Sequence, residues 1–119
     1  MASSTELNPK DVAGRSKPQL GLIPTGAMAS VAQAMENGLK YGPYNWRYKP
    51  IGHMAYLHAM LRHLQAVISG EDMDPESGAP HLAHVAATAM IVLDAKSVGT
   101  LNEDRPTVVE IKPAKTDAA

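Results

Sequence analysis

The residues best suited to chemistry stand in one stretch, 70–84, where carboxylates and imidazoles are separated by a proline and glycine turn. Four carboxylates occur within six positions, and two histidines follow three positions apart: Glu71, Asp72, Asp74, Glu76, His81 and His84. A connector between helices needs only a few polar residues and a helix breaker, so a plain turn is rarely this acidic. The stretch therefore predicts a binding site for a divalent cation.

The mixture of ligands in this stretch bears on which cation it would hold. Carboxylates suit hard ions such as Mg²⁺ and Mn²⁺, and Glu71 and Asp74 converge on one ion if the last turn of the preceding helix persists. Mn²⁺ also accepts an imidazole, from His81 or His84. Zn²⁺ would suit those histidines, but the excess of carboxylates favours a harder ion. The alternative is a Ca²⁺-like structural loop or a solvated connector, although the spacing differs from that of an EF-hand.

A second unusual segment, 40–49, holds the only Trp, three of the four Tyr and three cations. A loop with this composition can stack a nucleobase and bind phosphates. Equally, it can fold back as a lid that buries Trp46 on the helices, with Asn45 capping a turn. The sequence leaves both interpretations open.

Arg62 and His63 interrupt an otherwise apolar helical pattern, and a guanidinium at this place holds either a phosphate or a neighbouring carboxylate. Glu36 lies at the edge of another apolar face, where a solvated surface carboxylate is the simpler interpretation. The chain has no Cys, no Gly-x-Ser-x-Gly elbow and no Walker-type loop. Metal and cations without a protein nucleophile favour hydrolysis at phosphorus by a metal-activated water.

Three helices are needed to position these groups, and the apolar periodicity predicts them over residues 26–40, 52–69 and 80–96. The predicted buried stripes are Met28, Val31, Ala32, Met35 and Leu39 in the first helix, Met54, Leu57, Leu61, Leu64 and Ile68 in the second, and Leu82, Val85, Ala86, Ala89 and Leu93 in the third. Before them, the apolar residues of segment 17–24 are expected to dock on the core in extended form.

Composition limits the class of protein. A chain of 119 residues fits one domain with a modest core, so oligomerisation would help it. A net charge of −1 gives no field for nucleic acid or an anionic membrane. Apolar runs too short to span a bilayer, no signal pattern and no cysteine favour the cytoplasm. A core of Leu, Met, Val, Ile and Ala favours an all-α fold.

We therefore expect a small helical bundle with extended arms at both ends. Residues 1–16 are predicted to be disordered or an arm, residues 17–98 to form the helical catalytic domain, and residues 99–119 to form a C-terminal arm or tail. Within that tail, 108–111 is expected to be a short strand or an arm on a partner subunit.

Four strings together carry a family resemblance. They are Lys17-Pro-x-Leu-x-Leu-Ile-Pro24, Gly38-x-Lys40-Tyr41-Gly42-x-x-Asn45-Trp46-Arg47, Arg62-His63, and Gly70-Glu71-Asp72-x-Asp74-Pro75-Glu76-Ser77-Gly78-x-Pro80-His81-Leu82-Ala83-His84. Their order and spacing over about residues 17 to 95 resemble the phage-associated dATP/dGTP diphosphohydrolase family. That family is similar to the MazG-like all-α nucleoside triphosphate pyrophosphohydrolases and includes the MazZ type.

The resemblance implies a MazG-like fold and hydrolysis of a purine (deoxy)nucleoside triphosphate to the monophosphate and pyrophosphate. It implies two or three Mg²⁺ or Mn²⁺ ions, dGTP or GTP as the substrate in the MazZ type, a homodimer or homotetramer, and the host cytoplasm for a phage-encoded chain. Where MazG-like enzymes carry a Glu-x-x-Glu pair, this chain has Gln33-x-x-Glu36.

With this resemblance, each candidate residue receives an expected role. Glu36, Glu71 and Asp74 are expected to bind metal. Glu71, His81 and His84 are expected to act in catalysis, the histidines by binding metal or orienting the attacking water. Phosphate binding is assigned to Lys40, Arg62 and His63, and purine stacking or reading to Asn45 and Trp46. The alternatives are an HD-type triphosphohydrolase and a helical nucleotide- or metal-binding protein without activity.

Overall fold

The computed structural model describes residues 6–106, and this part of the chain is mostly helical. Its α-helices are α1 (Pro9–Arg15), α2 (Thr25–Asn37), α3 (Asn45–Tyr48), α4 (His53–Ile68) and α5 (His81–Val98). Its strands are β1 (Ile51–Gly52) and β2 (Leu101–Asn102), and 3₁₀ turns occupy Leu20–Leu22 and Gly38–Tyr41. No helix within residues 6–106 is long and apolar enough to cross a lipid bilayer. The all-α prediction is confirmed.

The three long helices lie where the apolar periodicity predicts them, as α2, α4 and α5. Pro80 precedes α5 in an extended conformation, so the missing N–H of proline costs no helical hydrogen bond. Gly99 ends α5 with φ +81, a left-handed conformation that a residue without a side chain adopts without strain. The helix boundaries thus follow from the proline and glycine punctuation of the sequence.

Helices α4 and α5 form an antiparallel hairpin with α2 packed against α5. The end of α4 meets the beginning of α5 at His63 and His81, while β1 before α4 pairs in parallel with β2 after α5. Where α2 meets α5 the core consists of small side chains, which let the helices approach closely: Ala34, Ala79, Ala83 and Ala87, with Val31 and Met35 packed against them.

The two-stranded pairing was not predicted from sequence. Ile51 pairs with Leu101, and the Oδ1 of Asp104 accepts a hydrogen bond of 2.8 Å from the backbone N–H of Met54, in the first turn of α4. The predicted C-terminal arm therefore begins with a segment held against the start of α4. The strand or arm predicted over 108–111 lies outside the described residues.

The N-terminal segment also carries unpredicted helix. Asn8 caps α1 by accepting a 2.8 Å hydrogen bond from the N–H of Lys10, and Pro9 fits the first helical position. The docking predicted for segment 17–24 is wrong: Leu20 and Leu22 form a 3₁₀ turn and are 74% and 81% exposed. Helices α2 and α5 are already in contact through their alanines, and no residue of this turn is buried.

The stripe predicted for α2 is right for two of its five residues. Val31 and Met35 pack against the core as expected. Met28, Ala32 and Leu39 are exposed, and the buried residue of the helix is Ala34. The close approach of the alanines leaves the larger side chains at the edges of the contact.

The predicted buried stripes are wrong for α4 and α5. No residue of α4 is buried, and Ile68 at its end is 83% exposed. Helix α5 is apolar around its circumference and buries the face that carries Ala83, Ala87 and Ala95, so Leu93 on another face is 68% exposed. The sequence pattern alone could not choose between these faces, because both are apolar.

Candidate active site

The acidic turn between α4 and α5 is fixed by its own backbone. The Asp74 N–H donates to the Ala79 carbonyl at 2.9 Å, and the His81 N–H donates to the Asp72 carbonyl at 2.9 Å. Gly78, at φ +77, lets the chain reverse within this turn. Among its carboxylates, Asp72 and Glu76 are exposed, whereas the side chain of Asp74 is only 15% exposed. Asp74 is therefore the carboxylate of the turn that faces inward.

Three histidines from α4 and α5 meet beside this turn. The Nδ1 atoms of His63 and His81 are 2.8 Å apart, and the rings of His63 and His84 stack with their centroids 4.7 Å apart. The Nε2 of His81 lies 2.7 Å from Oε1 of Glu71, and the Nε2 of His84 lies 2.6 Å from the hydroxyl of Ser77. We call His63, Glu71, Asp74, Ser77, His81 and His84 the histidine cluster.

Burial and neighbouring groups set the protonation of His63. Both ring nitrogens of His81 have partners, since its Nε2 faces Oε1 of Glu71 and its Nδ1 faces Nδ1 of His63. Burial lowers the pKa of His63, and the charges of His84 and His81 lower it further. His63 is therefore held neutral, as a metal-binding imidazole must be.

The pKa of Asp74 is also shifted. Burial raises it, but hydrogen bonds together with the charges of His84 and His81 outweigh burial and bring the pKa below its ordinary value. The Oδ1 of Asp74 accepts the Glu76 N–H at 2.9 Å, and the Ser77 hydroxyl donates to its Oδ2 at 3.3 Å. Asp74 is thus ionised at neutral pH and carries a negative charge toward the imidazoles.

Three residues of the cluster can hold a metal ion together. Ligand atoms of His63, Asp74 and His81 all lie within 4.8 Å of one another. Two imidazoles and one carboxylate form a donor set that suits Mn²⁺ or Zn²⁺ better than Mg²⁺, which prefers oxygen ligands. Glu71, on the far ring nitrogen of His81, occupies the place of a carboxylate that orients a metal-binding histidine.

A pocket of about 580 Å³ opens next to the cluster, between α2, the segment 41–46 and α5. The cluster and the pocket share His84. The aromatic residues that line the pocket come from the segment 41–46 and from α4: Tyr41, Tyr44, Trp46 and Tyr56. The sequence placed Trp46 in either a ligand site or a lid; here it lines a pocket. The volume and aromatic lining suit a nucleotide-sized ligand.

The segment 41–48 forms one wall of this pocket and is anchored to α5 by Asp94; we call this segment, which ends in the one-turn helix α3, the loop. The indole N–H of Trp46 donates to Oδ2 of Asp94 at 2.7 Å, and the guanidinium of Arg47 donates to both carboxylate oxygens at 2.7 Å. These donors lower the pKa of Asp94 to about 2, with Arg47 as the larger cause. The bonds hold a loop in which Tyr44 adopts the left-handed conformation at φ +57.

The remaining predicted site residues are distributed as follows. Asn45 and Glu36 line the pocket, and Glu36 belongs to no group of potential metal ligands in residues 6–106. Lys40 and Arg62 are exposed and form no ion pair with the described residues. Arg62 is close enough to His63 for its charge to lower that pKa. His63, expected to bind phosphate, lies with the potential metal ligands instead.

Sequence reasoning missed three residues of this region: Tyr56, Ser77 and Asp94. Tyr56 lines the pocket from α4, and burial raises its pKa. A signal existed for Ser77, since it stands inside the acidic turn. No signal in the sequence connects Asp94 with residues about 47 positions earlier; only the packing of the loop on α5 reveals it.

Comparison with known proteins agrees with the pattern of motifs. The model of a family described as dATP/dGTP diphosphohydrolase, N-terminal, matches residues 7–105. No curated protein and no solved structure matches the chain. The matched range contains every residue of the histidine cluster and of the pocket.

Proposed function

The chain belongs to the dATP/dGTP diphosphohydrolase family, whose members are pyrophosphate-releasing hydrolases, and we propose that it converts a purine (deoxy)nucleoside triphosphate to the monophosphate and pyrophosphate. The observation that carries this proposal is the junction of the pocket and the histidine cluster at His84. An aromatic cavity meets potential metal ligands there. A nucleotide needs both, because its base stacks on aromatic rings and its phosphates bind metal ions.

At the base end, the aromatic rings supply a stacking surface that suits the flat face of a purine. The side-chain amide of Asn45 lines the same space and forms no hydrogen bond with the described residues, so it can donate to and accept from a base edge. We expect dGTP or GTP to be preferred, as the resemblance to the MazZ type implies.

At the phosphate end, the cluster fits a divalent ion. His63 and His81 would bind it through the two Nδ1 atoms that face each other, and Asp74 would add a negative ligand. A bound ion supplies positive charge that stabilises the phosphate oxygens in the transition state. Of the two ions expected from the sequence, this donor set favours Mn²⁺ over Mg²⁺.

The other residues of the site act around that centre. Glu71 orients His81, a role that replaces the direct metal binding expected of it. His84 lines the pocket and its Nε2 lies 2.6 Å from the hydroxyl of Ser77, and we assign to it the role of orienting the water that attacks the α-phosphorus. Lys40 and Arg62 are cations available for the phosphates. Glu36, on the pocket wall, is our candidate ligand for a second ion.

We further propose that the chain forms a homodimer or homotetramer. Large apolar side chains on α4, on α5 and in the 3₁₀ turn before α2 are exposed in the single chain, and burying them against a second copy would remove them from water. Sedimentation equilibrium tests this; a monomer at every concentration contradicts it. We expect the protein to act in the cytoplasm, where its substrates are.

Product analysis tests the proposed reaction. The protein is incubated with each purine and pyrimidine (deoxy)nucleoside triphosphate in Mn²⁺, Mg²⁺ or Zn²⁺, and the phosphate products are separated. We expect pyrophosphate and a purine monophosphate in equal amounts, with Mn²⁺ most effective. Release of triphosphate would favour the HD-type alternative. Binding without turnover in all three metals would favour a nucleotide-binding protein.

A further inference from the structure

The three hydrogen bonds that converge on Asp94 constrain how the pocket presents Trp46. Trp46 has a single side-chain donor, its indole N–H, and that donor is bound to Asp94 at 2.7 Å. The carboxylate that holds it also lines the pocket. The side chain of Trp46 therefore has no hydrogen-bond donor left for a ligand, and only its ring surface is available to the cavity.

Arg47 is also bound to Asp94. Its guanidinium forms a two-point ion pair with Asp94 and lies 4.8 Å from the centre of the Tyr44 ring. Arg47 does not line the pocket. Arg47 thus stabilises the loop: two of its five N–H donors bind the carboxylate of α5, and its side chain lies outside the lining of the pocket.

Asp94 thereby connects the residues that form the aromatic wall. Tyr44 and Trp46 lie with ring centroids 5.4 Å apart, and Arg47 bridges Tyr44 to the same carboxylate. The loop that carries both rings includes Tyr44 in a disfavoured backbone region, so its conformation depends on contacts outside the loop. Loss of Asp94 would release the wall while leaving the histidine cluster intact.

We propose that Asp94 is a positioning residue that holds Trp46 as a stacking surface for the purine and withholds both the indole N–H and Arg47 from the ligand. This inference rests on the proposed function for the identity of the ligand. It leaves base discrimination to the other polar groups of the pocket, among them the amide of Asn45 and the tyrosine hydroxyls, because the side chain of Trp46 contributes no hydrogen bond to the ligand.

The test compares Asp94→Asn with Asp11→Asn, a matched change on the exposed helix α1. Because the amide introduced in Asp94→Asn lacks the charge and one of the two acceptors, we expect KM for dGTP to rise about tenfold, the scale of losing one base stack, while kcat stays within about twofold. Asp11→Asn should change neither. A fall in kcat with KM unchanged would overturn the positioning role.

Trp46 is the only tryptophan, so its emission reports the wall directly. In Asp94→Asn without nucleotide, we expect quenching by acrylamide to rise about twofold, since a loop without its anchor opens more often to solvent. Unchanged quenching would overturn the proposal even if the wild-type protein hydrolysed dGTP. Conversely, a wild type without turnover would refute the proposed function and leave this measurement valid.

Trp46→Phe tests the second part of the proposal, since it keeps an aromatic ring and removes the N–H. We expect KM for dGTP and for dATP to change by the same factor, within about twofold of each other, because the N–H does not reach the base. A rise in KM for only one of the two nucleotides would show that the N–H contacts the purine, and would overturn the inference.

Discussion

The histidine cluster and the aromatic pocket are built in different ways. Apart from His63, the cluster comes from a single stretch, and its turn is closed by backbone hydrogen bonds such as that from Asp74 to Ala79. The pocket wall comes from a loop that is distant in sequence from its anchor, Asp94. One region is fixed by local bonds and the other by one long-range carboxylate.

This difference separates the two demands of the proposed reaction. The phosphate end needs ligand atoms at fixed distances, because a metal site tolerates little displacement. The base end needs a surface that admits and releases a nucleotide, and a wall attached at one point suits that purpose. Changes in the cluster should therefore alter metal binding and turnover, whereas changes in the wall should alter nucleotide affinity.

The largest effect is expected for Asp74→Asn. Asparagine keeps an oxygen for the turn but removes the only negative ligand of the potential metal group, so we expect pyrophosphate release to fall by at least about a hundredfold. Asp72→Asn, on the same turn with an exposed side chain, should cost less than about twofold. Equal losses in the two variants, measured at saturating nucleotide, would contradict the division of roles.

Glu71→Gln sharpens the account of the cluster itself. If Glu71 orients His81 without binding metal, the variant should lose about 10- to 100-fold in Mn²⁺ affinity and retain measurable binding. Calorimetric titration of Mn²⁺ into the nucleotide-free protein measures this affinity. Full affinity and activity would remove Glu71 from the site.

Trp46→Ala tests the aromatic pocket. Removing the stacking surface should raise KM about tenfold with little change in kcat, since a base stack is worth about 1–3 kcal/mol. Mn²⁺ affinity should remain that of the wild type, because Trp46 lies outside the histidine cluster. A parallel loss of metal binding would show that the two regions are not independent.

The smallest expected effect concerns pH. Because the pKa of His63 in the folded, metal-free protein lies below its ordinary 6.5, the unfolded chain binds a proton first as pH falls. The contribution of His63 to stability is therefore complete above pH 6.5 and declines below it, toward the lowered pKa. A pH titration followed by nuclear magnetic resonance should give a midpoint for the His63 ring that lies below the midpoint of the same ring in the urea-unfolded chain. A higher midpoint in the folded protein contradicts the neutral state of this ring.

Much of the fold could be predicted because it depends on local patterns. Helical periodicity with Pro80 and Gly99 as boundaries located α5, and the same kind of signal located α2 and α4. The exposed face of α5 could not be predicted, since its sequence is apolar all round. The pairing of Ile51 with Leu101 was beyond reach because two-residue strands carry no periodicity.

In the candidate site, too, the residues with a local sequence signal could be predicted and those without one could not. Asp74, His81 and His84 were found because acidic and imidazole groups are close in sequence. Trp46 was found from the aromatic composition of 40–49 and His63 from its place in an otherwise apolar helix, and the resemblance of the motifs gave these two residues their expected roles. The geometry places Glu71 on His81 and His63 among the potential metal ligands, since ring orientation is set by packing. Asp94 carries no local signal, so its part in the pocket required the three-dimensional structure.

The most direct test of the central claim follows the oxygen of the attacking water. The protein is incubated with dGTP and Mn²⁺ in ¹⁸O-labelled water, and the products are analysed by mass spectrometry. Attack at the α-phosphorus predicts one ¹⁸O atom in dGMP and none in pyrophosphate. Label in pyrophosphate, release of triphosphate or absence of turnover would contradict the account.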